Sequence, residues 1–215
     1  DRHMRCLSFL EIMNKNNQII IISFSDIYRQ QHFYEELKEN NQGDFIWIEA
    51  AGMEGCNCYC DDMAAEMVSR LDYDFSKADQ DMAMNYGVIA RTIVLDEMVE
   101  KYLSGHPNTI VVNIASGLDT RCYRMQEKYV RWYNVDLPET MKIREKFLTE
   151  NGPVYQIAKS AMDASYTNEM EYGGENVLGI IEGLSMYLSE ADVLQMMSII
   201  EKTFQNVTVM IETMS

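Results

Sequence analysis

Apolar residues recur along this chain in two alternating rhythms. Short runs rich in Ile and Val predict strands over residues 18–24, 45–49, 109–115, 131–136, 154–159, 176–182 and 207–213. Between them, apolar positions three and four residues apart predict helices. One is capped by Ser25-Asp26 and runs to about Asn40, with Ile27, Tyr34 and Leu37 on a shared face. A second starts at Asp61 or Asp62 and places Met63, Met67, Val68 and Leu71 on one side. A longer third carries Val88, Thr92, Leu95, Val99 and Tyr102, and Gly105 with Pro107 supplies its stop. Three more follow, from about residue 119, over 138–149 and over 189–203. The regular alternation after Pro107 predicts an α/β fold, a mostly parallel sheet with helices on both faces.

Gly52-Met53-Glu54-Gly55 marks a boundary between a βαβ-like segment, residues 1–60, and a second unit, residues 61–215. The last predicted strand ends at the limit of the sequence. Its open edge calls for cover from another chain or from the N-terminal segment.

The loop that leaves the strand at 109–115 concentrates the candidate chemistry. Asn113-Ile114-Ala115-Ser116-Gly117-Leu118-Asp119-Thr120-Arg121 is a small-residue turn at a strand end, which lets a ligand approach the backbone. Nineteen residues after Gly117, Asp136 closes the run Trp132-Tyr133-Asn134-Val135, at the distance where a strand-end acid reaches ribose hydroxyls. A dinucleotide site would show G-x-G-x-x-G, whereas positions 115, 117 and 120 are Ala, Gly and Thr. The loop therefore favours S-adenosylmethionine over NAD. In an open parallel sheet, ligands sit beyond the carboxyl ends of the strands, so Gly117, Asp136, Asp163 and Glu182 are expected to converge there.

Charge narrows the partners. A formal net charge of −16 leaves no basic stripe for phosphates, which argues against nucleic acid and anionic membranes and for a small or cationic ligand. No apolar run approaches the ~18 residues of a membrane span, and the opening Asp1-Arg2-His3-Met4-Arg5 has no signal-like apolar stretch after it, so the expectation is cytoplasmic. Five cysteines, an odd number, read as reduced thiols. Cys56, Cys58 and Cys60 would face one way in a strand, but structural zinc prefers C-x-x-C pairs, and His3, His32 and His106 offer no matching spacing; no metal site is predicted. The seventeen methionines fall mostly at core positions and read as packing.

Four ordered motifs then point to a family. Ala90-Arg91-Thr92, Gly117-Leu118-Asp119-Thr120-Arg121, Val135-Asp136-Leu137-Pro138-Glu139 and Glu182-Gly183-Leu184-Ser185-Met186-Tyr187-Leu188, with Leu71-Asp72-Tyr73-Asp74-Phe75-Ser76-Lys77 upstream, resemble the leucine carboxyl methyltransferase family, including its tetracenomycin-type polyketide O-methyltransferases. The likeness covers about Asp61 to Ser215. It implies a Rossmann-like methyltransferase fold and S-adenosylmethionine as cofactor. By the same resemblance, Arg91 would hold the methionine carboxylate, and Ala115, Ser116, Gly117 and Asp119 would form the loop around the cofactor. Asp136 would bind the ribose, Asp163 would reach the adenine amino group and Glu182 would lie beside the methionine end, with Leu137 and Met162 also among the cofactor-binding residues. Tyr187 would line the path to the substrate as the one candidate catalytic residue. The family usually carries glycine where Ala115 stands, and its sheet continues into an antiparallel hairpin that the sequence does not show.

Each residue also has a plainer role. Val88 and Leu95 set Arg91 beside an apolar stripe with no acid at i±3 or i±4, so it needs an anion from elsewhere. Glu182, ending a buried strand, needs a cation or donors, whether a ligand or a lysine. Asp136 could cap the helix starting at Pro138, and Asp119 the helix after the loop. Asp163 could be a solvated turn residue. The leading expectation is an O-methyltransferase acting on a carboxylate or hydroxyl of a small molecule or a protein carboxyl terminus. The alternative is a binding module that keeps the cofactor site but not the chemistry. The oligomeric state is left open.

Overall fold

Runs buried on both faces become the centre of a seven-stranded sheet. The computed structural model describes residues 18–23, 48–49, 61–71, 82–149 and 152–213. The predicted helix over 25–40, the boundary at 52–55 and the cysteine run at 56–60 lie outside the described residues. The strands are β1 (Gln18–Ser23), β2 (Ile48–Glu49), β3 (Thr109–Ile114), β4 (Arg131–Asp136), β5 (Val154–Ala158), β6 (Asn176–Ile181) and β7 (Val207–Thr213). They lie in the order β2-β1-β7-β6-β3-β4-β5, and every pairing is parallel. The chain runs outward from β3 through β4 to β5, then returns to β6 on the other side of β3. That reversal makes the crevice between the β3 and β6 ends the place where such sheets bind ligands.

Alternate residues of each strand feed two cores. Ile110, Val112, Ile114, Val135, Val177, Ile181, Val209 and Ile211 pack with Val193, Met196, Met197 and Ile200 of the helix α5 (Glu190–Thr203). Val111, Trp132, Leu178, Ile180 and Met210 face the other way, onto Val94, Leu95, Met98, Val99 and Leu103 of α2 (Met82–Gly105). Burial of each such side chain is worth roughly 1.5–3 kcal/mol. The paired helices thus anchor the strand ends from both faces. Among the described residues no helix is long and apolar enough to cross a membrane.

The N-terminal strand occupies the edge expected to be open. β1 runs beside β7 from Gln18 opposite Thr208 to Ser23 opposite Thr213, so a segment from the start of the chain supplies the cover.

Three predicted helices differ in length or face. Helix α1 (Asp62–Arg70) is capped by Asp61, whose Oδ1 accepts the Ala64 N–H at 2.9 Å. Of its expected apolar face only Met67 is buried, while Met63 and Val68 are exposed. Helix α3 (Arg121–Arg124) is a single turn, because Glu127 at φ +67° bends the chain toward β4. Helix α4 (Pro138–Arg144) ends early as its hydrogen bonds tighten to three-residue spacing, Lys146 N to Ile143 O and Phe147 N to Arg144 O.

Candidate functional site

The register of the central strands assembles the site. Ile114 lies opposite Ile181 across β3 and β6, which sets Ala115 beside Glu182; Ile181 lies opposite Ile211, which sets Glu182 beside Glu212. A cavity of about 380 Å³ opens at these ends, lined by Arg91, Ala115, Ser116, Asp119, Arg121 and Glu182, together with Asp61, Ala64, Val88, Thr92, Asn113, Leu118, Thr120 and Arg124. Its size falls in the ~300–1,000 Å³ range of small-molecule sites.

Loop geometry follows from two left-handed residues. Ala115 has φ +55° and Gly117 φ +49°, so the chain folds sharply off β3. The left-handed region strains any side chain, and this is the position where glycine was the expected residue. A Cβ placed on Gly117 would meet no heavy atom within 4 Å, so the space above its backbone is open to a ligand. Gly117 is gripped from both sides: its N–H donates to Asp136 Oδ2 at 2.7 Å, and its carbonyl accepts from Arg144 Nη1 at 2.9 Å. Arg144 is fully buried. Asp136 spends its other oxygen on the Leu137 N–H at 2.7 Å. A carboxylate has about four acceptor directions, so Asp136 keeps capacity for two hydroxyls. Ser116 is 4% exposed, and its buried Oγ has no hydrogen-bond partner among the described residues.

An ion-pair network braces the wall. Arg121, 1% exposed, meets Asp96 at 2.5 Å, Asp119 at 2.9 Å and Glu182 at 3.0 Å. Burial alone would pull its guanidinium down, but Asp119, Glu182 and Asp96 hold it above its ordinary value, so it stays charged. Arg124 reaches Asp61 at 2.6 Å and Asp96 at 2.7 Å. Arg91 donates from Nε to Glu182 at 2.7 Å and from Nη1 to Glu212 at 3.0 Å. Asp61, besides capping α1, accepts the Thr120 hydroxyl through its second oxygen. Asn113 links the network to the sheet, donating to Asp119 at 2.9 Å.

Sequence and structure meet unevenly at this site. Arg91, Ala115, Ser116, Asp119 and Glu182 share the cavity wall; Gly117, between the lining residues Ser116 and Leu118, and Asp136, bonded to it, are not part of that wall. The anion that Arg91 requires is a pair of the chain's own acids, Glu182 and Glu212, and the cations on Glu182 are Arg91 and Arg121 rather than a lysine. Leu137, 51% exposed, lies outside the wall. Met162 does too; its carbonyl accepts from Gln195 at 3.0 Å. Asp163 caps a 3-10 turn (Ala164–Glu169), and the Ser165 N–H holds its carboxyl below its ordinary value. Tyr187 is 81% exposed on the turn Ser185–Tyr187. Sequence reading assigned no site role to Asp96, Arg124 or Glu212, and took Asp61 only as a helix start. Arg121 and Arg124, three apart and directly after the small-residue loop, were the available signal for a charged wall.

A parallel sheet with a ligand crevice at its switch point, a sharp small-residue loop and an acid bonded to that loop define a Rossmann-like methyltransferase domain. Comparison with known proteins agrees: the family model "Leucine carboxyl methyltransferase" matches residues 47–201. The chain belongs to the leucine carboxyl methyltransferase family. It is 34% identical over 136 residues to the tetracenomycin polyketide synthesis O-methyltransferase TcmP of Streptomyces glaucescens, a match covering 61% of this chain and 49% of that protein. Leucine carboxyl methyltransferase 1 of Eremothecium gossypii is 34% identical over 71 residues, 32% of this chain and 22% of the relative. Its counterpart from Debaryomyces hansenii is 26% identical over 93 residues, 41% of this chain and 25% of the relative. The chain thus spans about half the length of TcmP and a quarter or less of the other two.

Proposed function

We propose that this chain binds S-adenosylmethionine in the cavity between β3 and β6 and transfers its methyl group to an acceptor oxygen, a carboxylate or a hydroxyl. The observation that carries the reading is the buried Ser116 Oγ, unpartnered among the described residues, beside the open backbone of Gly117, with Asp136 fixing that glycine. A polar atom buried without a partner is costly, and a ligand hydrogen bond removes the cost.

The charges support the same ligand. Asp61, Asp96, Asp119, Glu182 and Glu212 face Arg91, Arg121 and Arg124, five carboxylates against three guanidiniums. An excess of negative charge suits S-adenosylmethionine, whose sulfonium and ammonium outweigh its carboxylate. When bound, that cofactor supplies an electrophilic methyl group on sulfur. The chain's part is to hold it: Asp136 accepts the ribose hydroxyls, Gly117 lets the backbone approach, Arg91 pairs with the carboxylate and Glu182 with the ammonium. Such a transfer needs alignment and exclusion of water more than covalent help from the protein. A carboxylate acceptor is already ionised at neutral pH and requires no base. In this reading residues 61–215 form the cofactor-binding unit, and β1 closes its sheet edge.

Calorimetric titration with S-adenosylmethionine, S-adenosylhomocysteine and NAD tests the assignment. The first two are expected to bind and NAD is not. Asp136→Ala should cut affinity for both by about 10-fold or more while leaving the fold intact, since it removes charge-assisted bonds. Failure of the parent chain to bind either methionine-derived ligand would sink the proposal. Transfer of labelled methyl to phenolic acceptors or to peptide carboxyl termini would then separate the two acceptor classes.

A further inference from the structure

Glu212 falls in none of the motifs that led to the site, yet three parts of the site attach to it. It stands near the end of β7 and is 3% exposed. Its Oε1 accepts from Arg91 Nη1 at 3.0 Å, and its Oε2 accepts from the Gly183 N–H at 2.7 Å. Its carbonyl accepts the hydroxyl of Ser185. Gly183 has φ +68°, so the turn after Glu182 depends on a left-handed residue whose amide Glu212 holds. On the far side β1 clamps the backbone, with Ile22 opposite Glu212.

Two carboxylates side by side at the ends of β6 and β7 repel each other unless a cation sits between them. Arg91 is that cation, with Nε on Glu182 at 2.7 Å and Nη1 on Glu212. Its third nitrogen, Nη2, makes neither of these contacts, and Arg91 lines the cavity. A guanidinium tethered at two nitrogens has already lost the rotamer freedom that a free arginine gives up on binding an acid. Its planar fork therefore meets an incoming carboxylate at little further entropic cost.

We infer that Glu212 is a positioning residue: it presents Arg91 to the acid group of an amino-acid-bearing ligand, and so governs affinity for that part of the ligand and not for its nucleoside. The inference rests on the S-adenosylmethionine reading above. Tyr187 and the acceptor side play no part in it.

The test compares two probes by calorimetry, S-adenosylhomocysteine, which carries the amino-acid group, and 5′-methylthioadenosine, which lacks it. In Glu212→Gln, affinity for S-adenosylhomocysteine is expected to fall ~10–100-fold, the worth of a charge-assisted contact, while 5′-methylthioadenosine stays within about two-fold of the parent. Arg91→Met should show the same split, and the double variant should lose no more than Arg91→Met alone, because both act through one contact. An equal loss for both probes, additive losses, or unchanged S-adenosylhomocysteine affinity would overturn the inference. If Glu212→Gln is unfolded, Glu212→Asp keeps the charge but draws back from Arg91, and the same comparison decides. A parent chain that binds neither probe overturns the underlying cofactor reading, a result distinct from a parent that binds both and a variant that loses both alike.

Discussion

Replacing Arg121 with methionine removes the cation on which Asp96, Asp119 and Glu182 converge, and the loss can be sized from the geometry. Taking one partner from a buried ion pair costs about 3–5 kcal/mol, because the opposite charge stays behind unpaired. Here the guanidinium is 1% exposed, but its acids are 15, 20 and 16% exposed and are not all stranded. Asp96 keeps Arg124 at 2.7 Å, and Glu182 keeps Arg91 at 2.7 Å. Asp119 loses its closest cation, retaining Asn113 Nδ2 at 2.9 Å and a distant Arg124 at 3.9 Å. Methionine also restores much of the packing. The cost should therefore sit at the low end, about 3 kcal/mol, a drop of roughly a hundredfold in the folding constant. With a urea slope of about 2–3 kcal/mol/M, the midpoint of unfolding should fall by about 1–1.5 M. Urea titration followed by far-UV circular dichroism measures it, with Arg121→Lys alongside. Lysine keeps the charge but not the planar fork and should recover about half. A midpoint within about 0.2 M of the parent would refute the reasoning, as would a lysine variant no better than methionine.

Three further outcomes follow from single residues. Ala115→Gly relieves a left-handed alanine at φ +55° and should stabilise by up to about 1 kcal/mol after glycine's added chain entropy, a melting rise of about 2–4 °C; a lower melting temperature would show that no strain is stored there. Burial pushes the Cys122 thiol up to about 11, against the pull of Arg144, so at pH 8 its peptide should resist iodoacetamide in the folded protein as judged by mass spectrometry, and rapid alkylation would contradict its burial. The Gly173 N–H and then Arg131 hold the Glu175 carboxyl below its ordinary value, so its contribution is complete above the usual carboxylate range and disappears as pH falls through the lowered value. Glu175→Gln should accordingly melt earlier than the parent at pH 7, and the gap should close as pH falls through the lowered value; a gap that stays constant across an acid titration would exclude the carboxylate as the cause.

Much of this architecture is legible in one dimension because its causes are local. The runs at 109–114, 131–136, 176–181 and 207–212 are strand segments buried on both faces, and near-continuous burial leaves an apolar signature in the chain itself. The step from Gly117 to Asp136 reflects one loop, one short helix and one strand, so its length carries the contact seen at 2.7 Å. Helix ends are less legible. α3 and α4 stop early where hydrogen bonding changes over a few residues, a balance that side-chain spacing does not encode.

Charge pairing depends on the folded arrangement instead. Arg91 showed a need for an anion but not its source, and the acids that meet it lie 91 and 121 residues further on. They become its neighbours through the register of β6 against β7, and a one-residue slip would send both side chains elsewhere. The same holds for Asp61 against Arg124, and for β1, whose isoleucines announce a strand but not the partner it covers. Periodicity and turn chemistry act over a few residues, so the sequence displays them directly. Which strand lies beside which, and so which carboxylate shares which guanidinium, follows from packing the whole sheet at once, and only the assembled structure holds that information.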